Sequence, residues 1–186
     1  MLVLVVGPSG AGKDTLMAAA RARLEGDARF RFVQRDITRP ADAGGEDHRA
    51  VIPAEFAGIR AAGGYALAWE AHGLSYGIPA DVAAHLASGG VAIANVSRGV
   101  LREAASRFPT VVLEITAPIA VLASRLAARG RESEADIAAR LARAVPLPEG
   151  LDVVTVMNDG PVEAGVADVL AVLTAALGGE AARKKK

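Results

Sequence analysis

The sequence predicts an α/β fold in three layers: a parallel sheet of about five strands, covered by helices on both sides. Three observations lead there. Short β-branched apolar runs alternate with helix-length amphipathic segments, the first of those runs passes straight into a glycine-rich loop, and two polar stretches interrupt the alternation. The 186 residues suit one compact domain, and 52% hydrophobic residues suffice for its core although aromatics make up only 4%. We expect that domain to span 1–178, followed by a frayed, solvated basic tail at 179–186.

"LVLVV" (2–6) opens the sheet as a strand buried on both faces, which is how parallel strands read. "MLVLVVG" has no basic leader region and is too short to span a bilayer. "FRFVQ" (30–34), "VAIANV" (91–96), "TVVLEI" (110–115) and "DVVTVM" (152–157) supply the other strands. Between them run helical stripes. Leu16, Ala20 and Leu24 share one face, as do Ile119, Leu122 and Leu126. Pro161 stands at an expected first helical position, with Val162, Val166, Val169, Leu173 and Leu177 on one face behind it. The first interruption, 36–78, predicts an inserted lobe of short strands. The second, 129–144, predicts a turn leading to a helix, with Ser133 and Asp136 as its capping signal. Both follow core strands, where open α/β sheets bind ligands.

The loop reads "GPSGAGKDT" (7–15) and fits the phosphate-binding pattern G-x-x-x-x-G-K-[ST] at every position but one. It sits between an apolar strand and an amphipathic helix, the setting that such a loop requires, so the sheet is that of a P-loop NTPase. Gly7, Gly10 and Gly12 permit a tight path, and beyond Pro8, which has no N–H, the amides of Ser9, Ala11 and their neighbours line it up to the helix. The helix N-terminus adds partial positive charge and Lys13 a full one. Asp14 stands where a hydroxyl normally ligates magnesium, with Thr15 one step late. The metal role is open between them: a carboxylate is a good hard ligand, but Asp14 could simply cap the helix while Thr15 supplies the hydroxyl.

Composition excludes several classes. Twenty-one basic residues balance twenty-one acidic ones, which gives no support to nucleic-acid or membrane partners. No cysteine means no disulfide, thiolate nucleophile or cysteine-bound metal, in keeping with a cytoplasmic enzyme. His48, His72 and His85 form no ligand-like cluster. A switch GTPase would carry N-K-x-D, and the nearest string is "MNDG" (157–160).

"DITRPADAGGED" (36–47), "WEAHGLSYGIP" (69–79), "SRLAARGRESEADIAARLARA" (124–144) and "VMND" (156–159) resemble, in that order, successive segments of guanylate kinases. The resemblance covers almost the whole chain. It implies a nucleoside-monophosphate-kinase-like core with an acceptor lobe at about 36–78 and a helical lid at about 129–144.

The acceptor region departs from that family. Where guanylate kinases have a second arginine in T-R-x-P-R-x-G-E, this chain has Asp42; His48 replaces a tyrosine, and the guanine-reading glutamate falls near Leu67. The D-x-D of their central strand is replaced by Asn95 and Ser97, followed by Arg98. Losing hydrogen-bond acceptors that read a base is costly, because unpaired polar groups discriminate by 10⁴–10⁵ to order of magnitude. The set "GPSGAGKD", "ITRPADAGGE", "HGLSYG", "SRG" and "RGRE" resembles instead the ribose 1,5-bisphosphate phosphokinases of phosphonate catabolism, where aspartate after the loop lysine is part of the pattern.

That resemblance implies small-molecule partners only: ATP as donor, ribose 1,5-bisphosphate as acceptor and Mg²⁺ as the metal. Lys13, Arg129 and Arg140 are the implied catalytic charges, and Arg39, Tyr76 and Arg98 the implied acceptor contacts. Arg125 and Arg131 are open between lid charges and an ordinary solvated helix face. Asn158 matches a position near adenine, and could equally cap the last helix with Asp159. Trp69 is expected to pack between lobe and core. A nucleoside monophosphate kinase and a non-enzymatic binding module are the alternatives; the intact phosphate loop speaks against the second. Oligomeric state is not legible.

Overall fold

The computed structural model describes residues 1–41, 47–128 and 146–179. Its centre is a five-stranded, all-parallel sheet in the order β2-β7-β1-β8-β9, formed by β1 (Leu2–Val6), β2 (Phe30–Phe32), β7 (Val91–Asn95), β8 (Thr110–Thr116) and β9 (Val153–Met157). Successive side chains of a strand point to opposite faces. Val3 and Val5 therefore enter one core with Leu16, Ala20, Val169 and Leu173, while Leu2, Leu4 and Val6 enter another with Val100, Leu101 and Ala104. All five residues of β1 are buried, which explains a run without a polar alternate.

The first core is closed by α1 (Lys13–Arg23) and by α6 (Val162–Leu177). The second is covered by α4 (Leu101–Arg107), and α3 (Val82–Ala87) adds Val82 to it. Strand order reverses at β1, whose neighbours β7 and β8 both come later in the chain. The glycine loop leaves the carboxyl end of β1, so it lies at the topological switch point.

Two apolar positions depart from the expected stripes. Ile119 is 50% exposed and Val162 42%, although Leu122, Leu126, Val166, Val169 and Leu173 are buried. Both are first residues of their helices, α5 (Ile119–Ala127) and α6. A helical side chain leans towards the N-terminus, so at that position it projects past the helix end and has no preceding turn to cover. Pro161 is the N-cap of α6, with ψ 143°, and the helix proper begins one residue later than expected.

A second sheet, in the order β4-β3-β6-β5, is built from β3 (Arg35–Ile37), β4 (His48–Ala50), β5 (Tyr65–Ala71) and β6 (Leu74–Pro79). β3 pairs parallel with β4 and antiparallel with β6, and β5 pairs antiparallel with β6. His72 and Gly73, with φ of 52° and 74°, form the two-residue turn of the β5–β6 hairpin. The register sorts the side chains. Asp36 lies opposite Arg49 and Gly77 on one face, while Ile37 lies opposite Tyr76, which in turn lies opposite Trp69, on the other.

The first face packs on α2 (Pro53–Ala61), where Phe56 stacks on Tyr65 at 4.7 Å between ring centroids. Gly77 makes room for that tyrosine, since a Cβ there would strike its ring. Asp36 is 2% exposed and accepts hydrogen bonds from Tyr65 Oη (2.7 Å) and Arg49 Nε (2.8 Å). Burial alone would raise its pKa, but the bonds from Arg49 and Tyr65 outweigh it and hold the carboxyl below its ordinary value. The same burial, together with the bond to Asp36, pushes the Tyr65 phenol up.

Candidate active site

The glycine loop is shaped by contacts at three of its residues. Gly7 has φ 147°, and a Cβ there would collide with the carbonyl oxygen of Ile115 on β8. Gly12, at φ 81°, is the left-handed N-cap of α1, and a Cβ there would collide with the side-chain amide of Asn158. Gly10 rests on α5, where a Cβ would lie 3.0 Å from Leu126 Cγ. Within the loop, the Ala11 amide donates to the Pro8 carbonyl at 3.3 Å, and Ser9 is exposed.

Lys13 Nζ donates to the carbonyls of Gly7 (2.8 Å) and Pro8 (2.9 Å), which fixes its ammonium at the loop. Asn158 is 5% exposed and donates from Nδ2 to the Ala11 carbonyl at 2.8 Å. Its backbone amide continues the pairing beside β8, donating to Thr116 O at 2.7 Å. Asn158 therefore braces the loop and does not cap α6, whose N-cap Pro161 has no side-chain partner.

Asp14 and Thr15 are both exposed in the first turn of α1. No side chain caps this helix, so Asp14 is not held there by a capping bond. Asp14 lines a cleft of about 940 Å³, together with Asn95 at the end of β7 and with Phe32, Val33, Arg21 and Asp47. No group of three or more His, Cys, Asp or Glu side chains converges among the described residues. A site with one carboxylate fits magnesium, which commonly takes one or two protein carboxylates and completes its shell with phosphate oxygens and water.

The second face of the smaller sheet carries further charges of the candidate site. Arg35 is 7% exposed, with its guanidinium carbon 5.6 Å from the centroid of Trp69 and 5.1 Å from that of Tyr76. Those rings are nearly parallel, with centroids 5.4 Å apart, as their cross-strand pairing dictates. The indole Nε1 donates to Ser97 Oγ at 3.0 Å, so Trp69 joins this sheet to the carboxyl end of the main one, in keeping with the expected packing role. Burial pushes the Arg35 guanidinium down to about 10; Tyr76 and Asp14 oppose the shift and Arg39 adds to it.

Arg39 lies beside His48, with Nη2 and Nδ1 3.4 Å apart, and His48 Nε2 is 3.2 Å from the Arg39 carbonyl. Arg98 follows β7 in a 3-10 turn (Arg98–Val100) and reaches Glu114 at 3.6 Å. The Nε atoms of Arg39 and Arg98 and Nη1 of Arg125 on α5 are buried without a hydrogen-bond partner. Buried guanidinium donors of this kind call for an anion.

The structure thus sets Tyr76 against Arg35 and Arg39 beside His48, the register partner of Arg35, and ties Ser97, beside Arg98, to Trp69; Asp14 stands apart from these in the first turn of α1. Arg129, Arg131, Arg140, Asp42, the lid at 129–144 with Ser133 and Asp136, and the tail from 180 onward lie outside the described residues. Arg35 was not legible as a site residue. Its signal is a charged residue sharing a strand face with Ile37, and that becomes visible only once β3 is placed beside β6.

Comparisons with known proteins follow the same line. No family model matches the chain. A ribose 1,5-bisphosphate phosphokinase of Brucella melitensis biotype 2 is 53% identical over 164 residues, 87% of this chain and 85% of that one. Another, from Agrobacterium fabrum, is 48% identical over 179 residues, 95% and 98% of the two chains. A bifunctional ribose 1,5-bisphosphokinase-thymidine phosphorylase of Azorhizobium caulinodans is 50% identical over 177 residues; this chain spans only 26% of its length. Among solved structures, the guanylate kinase of Anaplasma phagocytophilum superposes with a TM-score of 0.62 at 17% identity, covering 95% of this chain and 85% of that one. The fold is therefore guanylate-kinase-like.

Proposed function

The chain belongs to the ribose 1,5-bisphosphate phosphokinase family, and we propose that it transfers the γ-phosphoryl group of ATP to the 1-phosphate of ribose 1,5-bisphosphate. The products are 5-phosphoribosyl 1-diphosphate and ADP. One observation carries the reading: beside the braced phosphate loop, the chain holds a sheet face with buried Arg35 and half-buried Arg39 and has no carboxylate near the guanine-reading position, around Leu67, which is 1% exposed against Ile78.

A non-bridging oxygen of the 1-phosphate attacks the γ-phosphorus, and the bond from that phosphorus to the β–γ bridging oxygen breaks. ADP leaves with the electron pair. A phosphate oxygen is already a competent nucleophile, so no general base is needed; alignment and positive charge do the work. The loop amides and Lys13 hold the β- and γ-phosphates, and Arg39 with Tyr76 and Arg98 receives the acceptor. Arg129 and Arg140 neutralise the migrating group. Asp14, with Thr15 as the alternative, would hold magnesium, which would supply charge neutralisation for the phosphates. We place the reaction in the cytoplasm and in phosphonate catabolism; no described helix is long and apolar enough to cross a membrane.

The test is incubation with labelled ATP and magnesium against ribose 1,5-bisphosphate, GMP, AMP and UMP. Label should pass to the sugar bisphosphate alone. Efficient labelling of GMP with none of the sugar would replace this reading with a nucleoside monophosphate kinase.

A further inference from the structure

Within the smaller sheet, one face is chemically complete. Asp36 satisfies Arg49 and Tyr65 there, and Phe56 closes it from outside. The opposite face follows from the same register: Arg35 and Ile37 alternate with Asp36, so both share the side that carries Tyr76 and, across β6, Trp69. His48 lies directly opposite Arg35 on β4 and completes this side with Arg39.

A guanidinium at 7% exposure is costly to place beside a second guanidinium. The two rings recover part of that cost through their negative faces, by about 0.5–2 kcal/mol for contacts of this kind. They also fix the planar fork so that little side-chain freedom is lost when it takes up a ligand. A preorganised, desolvated guanidinium against flat aromatic walls suits a phosphate dianion, which accepts two parallel N–H bonds. This face offers no carboxylate to accept from the N1–H and N2–H donors of a guanine edge, because Arg35, Ile37, His48, Tyr76 and Trp69 line it.

Resting on the ribose 1,5-bisphosphate reading, we infer that Arg35, seated against Trp69 and Tyr76, receives the 5-phosphate of the sugar, the phosphate that does not react. Arg39 then serves the 1-phosphate at the same wall. Two arginines on one wall make the site select a bisphosphate, and Arg35 is its specificity-determining residue.

Trp69 is the only tryptophan of the chain, so its fluorescence reports this site alone. Ribose 5-phosphate should perturb that emission in the wild type, and Arg35→Gln should weaken its binding on the order of 10–100-fold, as loss of a charge-assisted pair predicts. Ribose 1-phosphate, which lacks the 5-phosphate, should compete against ribose 1,5-bisphosphate equally well in both proteins. With ribose 1,5-bisphosphate, KM should rise by a similar factor while kcat stays within a few-fold. If Arg35→Gln does not fold, Arg35→Lys keeps the charge without the fork and should show the same order of effects at smaller size. Equal weakening of both monophosphates, or of neither, would overturn the inference. A wild type that fails to turn over ribose 1,5-bisphosphate would instead overturn the function on which it rests.

Discussion

Asn158 and Ala11 are 147 residues apart and meet at 2.8 Å, the asparagine amide donating to the loop carbonyl. This bond links the end of β9 to the phosphate loop, and the same amide fills the space that any side chain at residue 12 would need. The loop is therefore held from behind by tertiary structure as well as by its glycines. Asn158→Ala should lower stability by about 1–3 kcal/mol, the cost of stranding a buried acceptor. It should also raise KM for ATP more than it lowers kcat. Denaturant unfolding and steady-state kinetics on the same protein check both parts.

Gly7 makes a sharper case. Its φ of 147° and its contact with the Ile115 carbonyl leave no room for a methyl group. Gly7→Ala should abolish measurable ATP binding, whereas Gly26→Ala, strained but with no atom within 4 Å of the added methyl, should retain it. Nucleotide titration of the two folded variants reads the difference.

Asp14 is the proposed magnesium ligand. Asp14→Ala should raise the magnesium concentration needed for half-maximal activity, and Asp14→Ser should recover part of the loss by restoring the usual hydroxyl. Normal magnesium dependence in Asp14→Ala, with its loss in Thr15→Val, would move the metal to Thr15. Activity measured across a magnesium series decides between them.

Arg129 is assigned to the lid by resemblance alone. Arg129→Ala should reduce kcat on the order of 10³-fold or more while ATP affinity changes little, since the charge is needed as the phosphoryl group moves. Pre-steady-state turnover with nucleotide binding measured in parallel would return the residue to a surface role if kcat is unchanged.

Acid should act on the smaller sheet through Asp36. Its folded pKa lies below the unfolded value, so its contribution to stability is present above the unfolded pKa and is lost as pH falls through the folded one. Arg49 is half exposed, which limits the size of the effect. Asp36→Asn should be less stable at neutral pH and should lose less stability than the wild type between about pH 5 and 2. Urea midpoints across that range check the slope.

What the sequence revealed follows the reach of each signal. "LVLVV" and the loop behind it are local patterns, and strand, turn and helix stand where periodicity and glycine spacing put them. The stripes erred at Ile119 and Val162 because periodicity carries no information about which turn has nothing beneath it. Arg35 was hidden for a different reason. Its meaning depends on Tyr76 and Trp69, which reach it only through the pairing of β3 with β6 and of β6 with β5. The Asn158 brace is likewise a long-range contact, and "VMND" reads equally well as a helix cap until β9 is set beside β8.

The central claim is the identity of the acceptor, and competition tests it most directly. With ATP and magnesium limiting in time, equimolar ribose 1,5-bisphosphate and GMP are offered together, and phosphorus NMR follows the new phosphoanhydride. The account predicts a diphosphate on carbon 1 of the sugar, with its 5-phosphate unchanged and GMP intact. Formation of GDP while the sugar bisphosphate remains untouched would contradict it.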